Sequence, residues 1–188
     1  HKAVPQALAH WNQMLGLNAE LLAIPVDNKG LLDHEFIAQH VSQAAMICTM
    51  AVNNETGVVQ DLGSLERIIR DNAPTAPWMV DCVQALGKQL LALDDTSIDY
   101  APFSGHKLYG PKGIGFMAVR DAAPFSPLII GGGQESGYRS GTENLPGIAA
   151  LNALFRLMQQ GSSFASVEKL NSYREQLAKA LRQAFPTV

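Results

Sequence analysis

Apolar residues in this chain come in two rhythms, and their alternation constrains the fold more than any other feature. Residues 21–26, 45–52, 78–82, 100–103, 114–119 and 128–130 form short apolar runs with little alternation. Strands buried on both faces read this way, because neither side of the pleat meets water. Between them lie helical patterns. Residues 34–42 carry Phe36, Ile37 and Val41 behind a capping Asp33. Residues 62–72 carry Leu62, Leu65, Ile68 and Ile69 behind Asp61. Strand and helix in turn predict an α/β fold, a mostly parallel sheet with helices on both faces in three layers.

The texture changes after Gly133. Residues 146–160 predict an amphipathic helix ended by Gly161-Ser-Ser, and residues 166–184 predict another with Val167, Leu170, Tyr173, Leu177 and Leu181 on one stripe. The expected organisation is a large domain over residues 1–162 and a connecting helix over 163–188, with a new strand starting near Phe185-Pro-Thr-Val. Trp11 and Met14 share one face of an N-terminal helix that opens without an evident cap, and both are expected to pack. Phe155, Met158, Tyr173 and Leu177 are expected in the core or at a dimer contact.

Composition narrows the function classes. At 47% hydrophobic and 16% charged residues, the chain carries enough apolar material for a core. A net charge of −3 points away from nucleic acid and from anionic membrane surfaces. No apolar run approaches the roughly 20 residues of a membrane helix. The opening His-Lys-Ala-Val-Pro-Gln lacks a charged-then-apolar leader pattern. Cys48 and Cys82 each sit inside an apolar run, as buried thiols of a reducing compartment do, so a cytoplasmic location is expected. His10, His34 and His40 lack the companions of a metal site.

Four clusters at predicted strand ends carry chemistry. The densest is Ser104-Gly-His-Lys-Leu-Tyr-Gly-Pro-Lys-Gly-Ile-Gly115. Small residues around a lysine admit a bulky ligand, and apolar walls would strip water from the ammonium and free the amine to attack a carbonyl. A surface lysine in a glycine-rich hairpin is the alternative. A nucleotide phosphate loop fails, because Pro111-Lys-Gly stands where Lys then Ser/Thr is needed and a strand follows instead of a helix. In Val80-Asp-Cys-Val-Gln-Ala85, Asp81 either pairs with a cationic ring nitrogen or caps a helix over 83–87. In Asn53-Asn-Glu-Thr-Gly57 the amides either bind a ligand or close an Asx-turn. The glycines, hydroxyls and Arg139 of residues 131–144 suit an anion, or equally a flexible surface loop.

Together these blocks resemble the NifS/IscS-type cysteine desulfurases, in the class V aminotransferase group of fold-type-I pyridoxal-phosphate (PLP) enzymes. The most specific matches are Asn53-Asn-Glu-Thr-Gly-Val-Val-Gln-Asp61, residues 104–115 and Arg139-Ser-Gly-Thr-Glu-Asn144. The resemblance implies that Lys107 binds PLP as an imine and moves protons at the substrate Cα, while Asp81 pairs the ring nitrogen. It implies that Gln84 and Asn54 lie near the ring hydroxyl and that Ser104 and His106 hold the phosphate. His1 would stack on the ring, and Thr142 would reach the phosphate of a partner subunit in a homodimer. The implied reaction converts L-cysteine to L-alanine and passes sulfur to an enzyme cysteine, then to an acceptor protein in iron–sulfur cluster assembly. Selenocysteine lyase and other class V aminotransferases remain alternative activities, and a non-catalytic dimerisation scaffold is an alternative of another kind.

The departures carry expectations too. The family's Gly/Ala-Thr phosphate loop, nucleophilic cysteine and carboxylate-gripping arginine have no match here. The chain is therefore expected to be a fragment and, alone, a poor enzyme that aggregates. Ser136 stands where relatives often carry Arg, and Cys82 where they often carry Ala.

Overall fold

The computed structural model describes residues 1–89, 91–161 and 166–186. It contains five helices and four strands among those residues: α1 (Ala3–Leu15), α2 (His34–His40), β1 (Ile47–Met50), α3 (Leu62–Asn72), β2 (Trp78–Asp81), β3 (Tyr100–Ser104), β4 (Gly115–Val119), α4 (Leu145–Gln160) and α5 (Val167–Ala184). The sheet order is β1-β2-β3-β4. The first three strands are parallel, with Ile47 opposite Trp78, Met50 opposite Asp81 and Met79 opposite Tyr100. The Gly105 N–H bonds the Ile114 carbonyl and the Arg120 N–H bonds the Asp99 carbonyl, a register that only an antiparallel β4 satisfies.

The α/β expectation holds, and three of four strands are parallel. Helix starts follow their caps: the Asp33 carboxylate accepts from the Phe36 N–H, Asp61 from Ser64 and Asn144 from Gly147. Two apolar runs are not strands. Residues 21–25 and 128–130 run irregularly, Val26 making only an isolated bridge to Leu32, and Leu22, Ile129 and Ile130 are all exposed. Residues 114–119 also differ from expectation. β4 alternates exposed and half-buried residues, since an antiparallel edge wets one face. The expected boundary at 162/163 and the end of the expected terminal strand, Thr187-Val188, lie outside the described residues.

The chain divides into two compact units. The first comprises residues 1–84, 92–103 and 117–125, and the second 85–91, 104–116 and 126–188. In the first unit Trp78, Val80, Cys82, Leu65 and Ile69 are fully buried. The Trp78 indole N–H donates to the buried Thr49 hydroxyl at 3.0 Å, so the bulkiest core residue leaves no polar atom unmet. At the amino end of β2 the Arg70 guanidinium donates to the carbonyls of Pro74, Ala76 and Ser97, to the Ser97 hydroxyl and to the Asp99 carboxylate. Asp99 also accepts from the Trp78 N–H at 2.8 Å, and Arg120 approaches it at 3.9 Å. The second unit is built on Leu108, Leu151 and Leu154, against which Leu86, Ile114, Phe116, Phe155 and Met158 pack.

α1 and α5 contribute no buried residue. Trp11 and Met14, expected to pack, are exposed, as are Tyr173 and Leu177. Phe155 and Met158 do pack, as expected.

Candidate functional site

Within the first unit, Asp81 is the last residue of β2, at the carboxyl end of a parallel strand, where α/β sheets place their ligands. It is 7% exposed. Its Oδ1 accepts from the Val83 N–H at 3.0 Å, yet residues 83–85 form a turn, so no helix is capped there. Among the described residues Asp81 joins no ion pair. A buried carboxylate without a cation is destabilising, and the hydrogen-bonded proton of a pyridinium nitrogen is the kind of partner it lacks. Gln84 follows in the same turn, half-buried.

His1 and Asn54 belong to the same unit. The His1 backbone nitrogen lies 3.9 Å from the Met50 sulfur, and Met50 is the register partner of Asp81. The His1 imidazole Nδ1 accepts from the Ala3 N–H at 3.2 Å, so α1 does have a side-chain acceptor at its start, supplied by an unusual residue. That bond uses a ring edge and leaves the ring's faces for stacking. The Asn53 carbonyl oxygen of the side chain accepts from Glu55 and Thr56, each at 2.9 Å, and Gly57 follows at φ 73°. This is the Asx-turn. Asn54 donates to Glu55 at 2.7 Å and is half-buried.

Within the second unit, Ser104 ends β3 and Lys107 sits in the 3-10 turn Gly105–Leu108. Ser104 makes no capping bond to that turn, while His106 and Lys107 are exposed and Leu108 is buried. The apolar walls expected to enclose Lys107 do not bury it in this chain. It lines one side of a small cavity with Leu86, Leu108 and Met158. The glycines of the motif serve packing within the loop more than ligand approach. A Cβ on Gly110 would stand 2.9 Å from the Gly105 carbonyl oxygen, and one on Gly105 would meet Ile114 at 3.0 Å. The Gly110 N–H donates to that same carbonyl at 2.9 Å, closing the turn.

Residues 131–144 form an internally bonded loop. Ser140 is buried and its hydroxyl accepts from the Gly133 N–H, and the Gln134 side chain accepts from Gly141. Arg139 donates to the Gly141 carbonyl and lies 3.6 Å from Glu135, so its charge is engaged within the loop. Thr142 is exposed. Ser136 takes φ 56°.

Cys48 and Cys82 are free thiols. Burial pushes Cys48 up to about 11, and burial followed by the Asp81 charge pushes Cys82 up to about 12. Neither is poised as a nucleophile at neutral pH. Among the described residues, no helix is long and apolar enough to cross a membrane, and no cluster could hold a metal ion.

The structure thus gathers His1, Asn54, Asp81 and Gln84 in one unit and Ser104, His106, Lys107 and Thr142 in the other. One residue escaped the motif reading. Lys88 shares the cavity beside Lys107, and a lone lysine after Gly87 has no periodicity or spacing that would mark it.

Comparison with known proteins bears on this donor set. "Cysteine desulfurase 2" of Trichormus variabilis is 40% identical over 164 residues, covering 87% of this chain and 40% of that protein. "Cysteine desulfurase, mitochondrial" of Candida albicans is 37% identical over 177 residues, covering 92% of this chain and 35% of that one. A solved structure of a NifS-like protein superposes with a TM-score of 0.83 at 32% identity, covering 97% of this chain and 49% of the other. This chain therefore spans about two-fifths of the curated relatives it matches and about half of the structural neighbour. The family model for aminotransferase class-V matches residues 2–187. With that match over almost every residue, and a fold shared with a NifS-like protein, the chain belongs to the aminotransferase class-V family.

Proposed function

We propose that this chain is the lysine-bearing part of a PLP-dependent cysteine desulfurase. The observation that carries the reading is Asp81, a buried strand-end carboxylate without a cationic partner among the described residues, in a chain that also offers Lys107 on a glycine-closed turn. Relatives named cysteine desulfurase at up to 41% identity support the substrate. When bound, PLP supplies an electrophilic carbonyl and an electron-withdrawing ring.

The chain's own residues do the rest. The Lys107 amine would hold the cofactor and would move the proton at the substrate Cα. Asp81 keeps the ring nitrogen protonated, and its burial strengthens that interaction. His1 would hold the ring by its imidazole face, and Asn54 and Gln84 would bind on the side of the ring hydroxyl. Ser104 and His106 hold the phosphate, which Thr142 of a partner subunit also reaches in a homodimer. L-Cysteine yields L-alanine, and the sulfur leaves on a cysteine other than Cys48 or Cys82, whose raised pKa values keep them as neutral thiols. A sulfur-acceptor protein and a cytoplasmic setting complete the reading. In domain terms, residues 1–162 form the cofactor-binding part and 163–188 lead out of it.

Titration with PLP, borohydride reduction and peptide mass mapping test the assignment. A phosphopyridoxyl adduct on Lys107 is expected, with loss of the visible absorbance band in Lys107→Ala. An unchanged band in that variant overturns it. Alanine and sulfide from cysteine, measured on the complete protein, test the substrate.

A further inference from the structure

In the second unit, residues 129–134 and 139–142 are joined at three points, and side chains make two of them. The Ser140 N–H donates to the Ile129 carbonyl at 2.9 Å, a backbone bond. The Gly133 N–H donates to the buried Ser140 hydroxyl at 3.3 Å. The Gly141 N–H donates to the Gln134 side-chain oxygen Oε1 at 2.9 Å. Gln134 is half-buried, and a Cβ on Gly132 would stand 2.8 Å from that same oxygen. A methyl at 132 would therefore push the Gln134 amide off Gly141.

Gly141 is the residue whose freedom matters. It takes φ 103°, a left-handed value that glycine adopts without a Cβ penalty, and the exposed Thr142 follows it directly. The Gly141 carbonyl is also held, accepting from Arg139 Nη1 at 3.0 Å. Its N–H belongs to the peptide plane before it and its carbonyl to the plane after it. With Gln134 gripping one plane and Arg139 the other, both soft dihedrals of Gly141 are fixed. A free glycine would lose that freedom only on binding, and the loss would weaken the complex.

We propose that Gln134 is a positioning residue for Thr142. Together with Arg139 it fixes Gly141, so the Thr142 hydroxyl meets the phosphate held by a partner subunit without first ordering the loop. This rests on the reading of Thr142 given above. Gln134 itself acts only through the Gly141 peptide.

Titration of the complete protein by absorbance, with PLP and with pyridoxal, tests this. Pyridoxal lacks the phosphate, so the ratio of the two affinities isolates the phosphate contact. Thr142→Val is expected to cut the preference for PLP about tenfold, as loss of a hydrogen bond to a charged group does. Gln134→Met removes the acceptor for Gly141 and Gly132→Ala displaces it. Each is expected to cut the same preference about fivefold, by returning backbone freedom to Gly141. Gln134→Met combined with Thr142→Val is expected to lose no more than Thr142→Val alone. A preference left unchanged by either loop variant, even where both ligands weaken alike, overturns the proposal. A double variant that loses the product of the two single effects overturns it too. An unchanged preference in Thr142→Val removes the phosphate reading of Thr142, and the proposal with it, while PLP absorbance still reports on Lys107 separately.

Discussion

At the residue scale, burial separates groups that look alike in a list of motifs. Asp81 is buried and Asp61 is not, so only the first carries a charge that needs a partner. Asp81→Asn keeps an acceptor for the Val83 N–H and removes that charge. The expected result is an apo chain at least as stable by urea midpoint, with PLP bound about ten- to hundredfold more weakly by spectroscopic titration. The thiols give a pH prediction. Cys82 rises from an ordinary 9.0 to about 12 when folded. The raised value means stability is fully present below pH 9.0 and falls from there toward about 12, as the unfolded chain loses a proton that the folded chain keeps. Urea midpoints measured against pH should fall across that window, and Cys82→Ala should flatten the fall. The Gly110 position admits no methyl without displacing the Gly105 carbonyl. Gly110→Ala should lower stability by about 1–3 kcal/mol in chemical denaturation.

At the element scale, the strand ends obey their neighbours. Asn53 could have served a ligand, but its side chain closes the turn after β1, because two N–H groups there have no ladder partner. Asn54, the residue beside it, carries the functional proposal instead. The Arg70 cluster anchors the connections at the amino end of β2 and ahead of β3. Its five donations, the Asp99 pair among them, are made with Arg70 and Asp99 at 22% and 15% side-chain exposure, where solvent competes little. Arg70→Met strips Asp99 of its near cation and is expected to destabilise the chain by about 2–4 kcal/mol, read from the urea midpoint. A change near zero would show that Arg120 takes over.

At the scale of the whole molecule, apolar surface is the salient property. α1 and the segment after it leave Met14, Leu15, Leu17, Leu21, Leu22 and Val26 exposed. Water-exposed apolar groups at this density favour association. The isolated chain should bind a hydrophobic dye strongly and self-associate in light scattering, and Leu21→Lys with Leu22→Lys should reduce both. Much of this molecule was legible from residue order alone. Local physics decides caps, periodicity and the identity of chemical groups, so Asp33, Asp61, α3, α4 and the Lys107 turn are all readable from neighbours in sequence. Tertiary structure decided which apolar runs became strands, since 21–26 and 128–130 are apolar like β1 yet, among the described residues, join no strand of the sheet. It also decided that Trp11 is exposed, that Arg139 is engaged within its own loop and that Lys88 stands beside Lys107. Pairing, burial and proximity depend on residues far apart in the chain, and no local pattern records them.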